Sequence, residues 1–291
     1  MTRKTIVRAI IVSACTAALV AAGLTLAPGS PSIAQAWNGC FSLHTSGSGA
    51  SAVNVCISAH GNMVKFESPA GFQQIGQLNT FRDGYAVCTG NLPDQANISH
   101  GYDTGGIEAG FGAATIVQPN GPNTFPLTII RDTTDGVFRL GQSYKLDKVE
   151  RDLTITMKLE NVSGVDQTAV KLSRYFEGDV DNNAAAGRFG ANDDGVWEWV
   201  NTTVGHGLML TNLTPLPSSA VATTVHSVSD HNPIGFGFRT GDGCIVFAGQ
   251  VTTPTDPASV SGANLVGRVL YGLGTIQAGR SKTVKVHYRR F

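Results

Sequence analysis

The chain has 291 residues, with 21 Lys+Arg against 21 Asp+Glu, 35 Gly and only 14% charged residues. There is no basic stripe, which argues against a nucleic-acid partner. Few charges and abundant glycine suit many short strands joined by tight turns, not a helical or disordered chain.

The first 36 residues read as an export signal. Arg3, Lys4 and Arg8 form a positive start, an apolar run covers Ala9 to Leu26, and Pro28-Gly29 breaks it. Ala34-Gln35-Ala36 places small residues at the −3 and −1 positions of a cleavage site, so the expected mature protein begins at Trp37 and is secreted. Two alternatives stand beside this. Val12-Ser13-Ala14-Cys15 fits a lipobox that would lipidate Cys15, and the apolar run approaches the length of an uncleaved anchor. No later run is long enough to span a bilayer, so no membrane contact is expected after cleavage.

Removing the leader takes away all three of its basic residues, leaving 18 Lys+Arg against 21 Asp+Glu, a net charge of about −3 with His neutral. The remaining 255 residues (291 less 36), 37–291, are expected to form one domain. Four cysteines remain: Cys40, Cys56, Cys88 and Cys244. An even number after an export signal implies two disulfides, with three connectivities open; Cys40–Cys56 and Cys88–Cys244 is the favoured set. No C-x-x-C spacing supports zinc.

Period-2 alternation recurs along the mature chain. Strands are predicted at 52–58, 63–67, 84–88, 127–132 and 137–144. The clearest follows at Leu153-Thr154-Ile155-Thr156-Met157-Lys158-Leu159-Glu160, apolar on one side and polar on the other. Asn161-Val162-Ser163-Gly164 reads as a turn, and Ala169 to Phe176 is expected to return as its partner strand. Further strands are predicted at 196–200, 207–213, 220–228, 235–239, 245–251, 264–274 and 283–288. Ile276 to Arg280 is a turn, after which Val284, Val286 and Tyr288 alternate inward. Many short strands with Gly, Pro, Asn and Asp between them predict an all-β fold, a large two-sheet antiparallel sandwich.

The run VERDLTITMKLENVSGVDQTAVKLSRYFEGDVDNN, with ISAHGNMVKFESPAGF before it and LGTIQAGRSKTVKVHYRRF after it, resembles segments of uncharacterised secreted bacterial β-sandwich proteins. In outline the chain is similar to galactose-mutarotase-like supersandwich domains. The resemblance implies a fold and carries no catalytic residue by position.

Glu177, Asp179 and Asp181 lie at alternate positions just beyond a predicted strand, with Asp193 close in sequence. Carboxylates on one face repel unless neutralised, and hard oxygens in a loop suit Ca²⁺. An EF-hand is excluded, since Ala184 and Gly190 stand where Gly and Glu are needed. The bland alternative is a solvated acidic loop. The same acids with Glu198 meet the minimum for a glycosidase pair. Trp197-Glu198-Trp199 puts two indoles on one strand face, either as a sugar-stacking platform or as core residues.

His226 and His231 have no zinc-motif spacing, and no H-E-x-x-H or G-x-S-x-G occurs. His100 and Asp103 lie in a polar loop-like stretch that offers an orienting pair, with a surface loop as the alternative. The leading functional expectation is a secreted non-enzymatic protein, a surface or matrix component or a binding module. The alternative is a protein that binds or processes extracellular carbohydrate.

Overall fold

The computed structural model describes residues 40–48, 52–75, 83–89, 96–101, 108–147, 152–178, 180, 187–191, 195–200, 207–214, 224–230, 251–252, 260–261 and 265–290. Residues 1–36, and with them the expected export signal and Cys15, lie outside this set, as do the strand predicted at 235–239 and all but Val251 of the one predicted at 245–251.

The fold is all-β and antiparallel, with two large sheets and one small one. The small sheet joins β1 (Ser42–Ser46), β2 (Val53–Ile57) and β3 (Met63–Glu67). A nine-stranded sheet contains β7 (Phe111–Val117), β8 (Leu127–Thr133), β9 (Phe138–Leu146), β10 (Leu153–Asn161), β12 (Gly187–Ala191), β13 (Gly195–Val200), β14 (Gly207–Asn212), β17 (Val260–Ser261) and β19 (Ser281–Arg290). Its order is β17-β12-β13-β14-β19-β10-β9-β8-β7. A seven-stranded sheet contains β4 (Asp83–Cys88), β5 (Ala96–Gly101), β6 (Glu108–Ala109), β11 (Gln167–Glu177), β15 (Thr224–Asp230), β16 (Val251–Thr252) and β18 (Leu265–Ile276), in the order β16-β15-β18-β11-β4-β5-β6.

The alternation read from the sequence sets the inner face. Leu153, Ile155, Met157 and Leu159 of β10 are fully buried, as are Val286 and Tyr288 of β19, while Lys158, Thr283 and Lys285 are exposed. Val170, Leu172 and Phe176 of β11 and Val269, Tyr271 and Leu273 of β18 close the same core from the other sheet. Burying a large aliphatic or aromatic side chain contributes about 1.5–3 kcal/mol, so these positions supply much of the driving force for packing the sheets.

The expected hairpin between β10 and β11 does not form. Both edges of β10 are taken, by β9 and β19, and β11 pairs instead with β18 and β4 in the other sheet. Residues 162–166 therefore cross from sheet to sheet. Residues 277–280 make a second crossing, from β18 to β19, beside the first. The two are joined by bonds from Asn161 N–H to Arg280 O (2.9 Å) and from Gly279 N–H to Asn161 O (2.9 Å). The Asn161 amide also donates to Val165 O and Ile276 O, both at 2.8 Å, tying the corners together.

Cys40 and Cys56 are disulfide-bonded, as expected, and join the start of the described chain to β2. Cys88 is also disulfide-bonded, and its partner lies outside the described residues. Disulfides fit folding in an oxidising compartment. Among the described residues no helix is long and apolar enough to cross a membrane.

Candidate functional site

The middle of the sandwich holds a charged network that the sequence reading missed. Arg174 stands at an inward position of β11 between Leu172 and Phe176, and both it and Asp83 of β4 are fully buried. Arg174 donates Nε to Asp83 Oδ1 at 3.0 Å and Nη2 to Oδ2. Its Nη1 reaches Gln142 Oε1 at 2.8 Å and Gly61 O at 3.2 Å. Asp83 also accepts from Tyr288 OH (2.5 Å) and Met63 N–H (2.6 Å). Tyr144 OH donates to Gly61 O at 2.5 Å.

Gly61 has φ +87°, and a Cβ there would lie 2.7 Å from Gln142 Nε2 and 2.8 Å from Tyr144 OH. The turn between β2 and β3 can enter the network only with glycine at this point. A second buried cation, Arg131 of β8, donates to Gly112 O (2.6 and 3.0 Å) and to Tyr85 OH (3.2 Å), and Tyr85 OH donates to His60 O.

Burial pushes the Asp83 carboxyl up, to about 6, against the charge of Arg174 and the hydrogen bonds from Tyr288 and Met63. Burial also raises Tyr144, Tyr175 and Tyr288 well above the usual phenol range. Tyr288 bonds Asp83 and Tyr144 bonds Gly61 O inside the core, whereas Tyr175 is buried on the other face of β11. The network ties β4 and β11 of one sheet to β9 and β19 of the other and to the 58–62 turn, which is a structural role.

Two sheet faces carry the remaining chemistry. The first is the face of the nine-stranded sheet turned away from the core. Register places Trp197 opposite Met209 and Trp199 opposite Gly207, and Met209 opposite Arg289. Glu198 pairs with Leu208 and Val196 with Leu210, and both leucines are fully buried. Positions 197 and 199 thus belong to the outward face and 198 to the core face. The same outward face continues in two further rows, Thr211–His287–Thr154–Lys145 and Lys285–Thr156–Ser143–Thr128. Thr128 Oγ1 donates to Ser143 Oγ at 3.2 Å. Among the described acids of this face, Asp152 pairs with His287 (2.9 Å), Asp132 with Arg139 (2.7 Å) and Glu160 with Lys158 (3.6 Å), while Asp147 is exposed at the end of β9.

The second is the outward face of the seven-stranded sheet. Register aligns His100, Gly84, Tyr175, Arg268 and Ser227 across five strands, with Glu177 one step along, opposite Val266. Tyr175 and Arg268 are buried on this face, at 1% and 5% exposure. Tyr175 lies over Gly84, where a Cβ would come within 2.5 Å of its ring. His100 is thus a strand residue of β5, not a loop residue; Asp103 lies outside the described residues. Of the proposed Ca²⁺ ligands, Glu177 ends β11, while Asp179, Asp181 and Asp193 lie outside the described residues. Among the described residues no three His, Cys, Asp or Glu are grouped to hold a metal.

No family model and no curated protein matches the chain. Solved structures do. A bacterial glucoamylase complexed with acarbose is similar over 91% of this chain and 34% of its own, with a TM-score of 0.55 and 9% identity. A protein assigned as an aldose 1-epimerase from Escherichia coli K12 matches over 86% of this chain and 99% of its own, at 0.47 and 11%. An α-galactosidase of Geobacillus stearothermophilus in complex with raffinose matches over 86% and 40%, at 0.34 and 11%. The chain spans about a third of the glucoamylase's length, and at this identity the likeness is one of fold. At that level the all-β sandwich expected from the sequence is a fold shared with part of the glucoamylase.

Proposed function

We propose that this protein is an exported, non-catalytic carbohydrate-binding sandwich, whose saccharide lies on the open face of the nine-stranded sheet. The observation that carries the reading is the register of β13, which sets Trp197 and Trp199 two residues apart on that face beside Met209. Tryptophans two residues apart on a strand, with Cα atoms about 6.5–7 Å apart, are the residue types suited to stacking on sugar rings. The neighbouring Thr128, Ser143, Thr154 and Thr156 offer hydroxyls, and Asp132, Asp152 and Glu160 of the face are ion-paired. A fold shared with part of a glucoamylase agrees with a carbohydrate setting. The test is a glycan array with the mature protein. Specific binding that drops at least about tenfold in Trp197→Ala and Trp199→Ala supports the reading; binding unaffected by either change overturns it.

A second reading is favoured by the row on the seven-stranded sheet. His100, Arg268 and Glu177 share one face there, residue types suited to acid–base chemistry on a sugar ring. Polarimetry of freshly dissolved aldoses distinguishes it. Accelerated anomer exchange, lost in His100→Ala and Glu177→Gln, would make the protein a carbohydrate-processing enzyme.

A further inference from the structure

The edge strand β1 is held to the sandwich by a small, neutral set of contacts. Leu43 N–H donates to Asn123 Oδ1 at 2.9 Å, Gln118 Nε2 donates to Ser42 Oγ at 2.7 Å, and the His44 ring stacks on Phe125 with centroids 3.5 Å apart and planes 16° apart. All three partners belong to the connection between β7 and β8, residues 118–126. Ser42 and His44 are 1% and 3% exposed. Ser42 Oγ also lies 2.9 Å from His44 Nε2. Since the hydroxyl already accepts from Gln118, its single proton goes to His44, and Nε2 is the accepting nitrogen of a neutral ring.

Among the described residues no charge faces this ring. Ser42 and Ser46 share its side of β1, Val55 stands opposite on β2 with Phe66 beyond it on β3, and the 118–126 connection, which brings Gln118, Thr124 and Phe125, contains no charged residue. Lys65 and Glu67 lie in register with Leu43 and Thr45, on the opposite face of the small sheet. A proton added at Nε2 would set two donors against one hydroxyl and leave a buried cation with no carboxylate to meet it. The face of Phe125 is the one partner that favours a cation, a small gain beside the lost hydration. Burial accordingly holds the ring's pKa down, at about 4.

We infer that β1 is a strap released by acid: neutral His44 locks it onto the 118–126 connection, and protonation of the ring lifts it off, baring Phe125 and the apolar inner side of β2. The Cys40–Cys56 disulfide keeps the start of the strap tied to β2, so the release is reversible. The rest of the small sheet stays in place, because Gly61 in the turn between β2 and β3 accepts from Arg174 and Tyr144 in the core. The docked ring takes up a proton near pH 4 and a freed ring near 6.5. Docking is therefore strongest above pH 6.5 and weakens as pH falls, by about 80-fold at pH 4.5. The strap works whether or not the protein binds carbohydrate.

The experiment is hydrogen exchange of the whole protein at about pH 7.5 and about pH 4.5, expressed as protection relative to the intrinsic exchange rate at each pH. It compares residues 42–46, where the Leu43 amide reports the bond to Asn123, with β10 in the core. Protection of β1 should fall at least about tenfold at the lower pH, β10 should change by less than about twofold, and return to pH 7.5 should restore β1. In His44→Phe, which keeps a ring against Phe125, the fall should be absent. Asn123→Ala removes one docking bond and leaves the titrating ring, so it should lower β1 protection at both pH values and keep the fall between them. Protection of β1 that holds at pH 4.5, that falls in step with β10, that falls equally in His44→Phe or that ignores Asn123→Ala would overturn the strap.

Discussion

Arg174 and Asp83 meet as a two-pronged ion pair in the centre of the sandwich, from adjacent strands β11 and β4, with neither side chain exposed to solvent. Taking one charge away strands the other in the core. Asp83→Asn should therefore destabilise the fold by about 3–5 kcal/mol in urea titration, because Arg174 remains charged and buried. Asp83→Leu combined with Arg174→Met should cost less than the two single changes added together. Strict additivity would show that the pair is not coupled.

A pH dependence follows from His44 of β1. Its ring is 3% exposed, stacks on Phe125 at 3.5 Å between centroids and bonds Ser42 Oγ at 2.9 Å. Burial lowers its pKa from the ordinary 6.5 to about 4. The unfolded chain takes up a proton near 6.5 that the folded chain refuses until about 4. This contribution to stability is complete above pH 6.5 and is lost as pH falls towards 4, by up to about 2–3 kcal/mol. Asp83, with a raised pKa, acts in the opposite sense, its contribution being lost as pH rises through about 6. The comparison is therefore between wild type and His44→Phe, which keeps a ring against Phe125. The difference in unfolding free energy should change between pH 6.5 and 4 and be flat above 7.

Gly84 of β4 gives way to the Tyr175 ring. Gly84→Ala sets a methyl 2.5 Å from Cε2 and Cζ of a side chain that is 1% exposed, so one of the two must move. Overpacking of this kind costs about 1–3 kcal/mol. Gly164→Ala, where a Cβ meets nothing within 4 Å, should be close to neutral. Thermal melts of the two variants, with Gly84→Ala/Tyr175→Leu as the relief, test whether the steric account holds; equal midpoints for Gly84→Ala and Gly164→Ala would defeat it.

Peptide mapping without reduction should recover Cys40 with Cys56, and Cys88 with Cys244. The second bridge closes a loop of more than 150 residues, and Cys88→Ser/Cys244→Ser should lower stability by about 4–5 kcal/mol, less any relief of native strain. A bond from Cys88 to Cys15 would instead mean that the first 36 residues stay on the protein. N-terminal sequencing of secreted material, expected to start at Trp37, decides the same point independently.

The sequence by itself determined the class of fold. Alternation from Leu153 to Glu160 and from Thr283 to Tyr288 sorted core from solvent correctly, because side-chain direction in a strand has a period of two whatever the partner. It also picked out Cys40–Cys56. It missed β1 (Ser42–Ser46) and β7 (Phe111–Val117), whose polar and small residues give weak alternation. Only the tertiary structure decided pairing: β10 and β11, neighbours in sequence, belong to opposite sheets because β9 and β19 saturate the backbone of β10. It decided likewise that Arg174 goes inside. A buried arginine needs partners for its charge and donors, and Asp83, which meets Arg174, is 91 residues away along the chain.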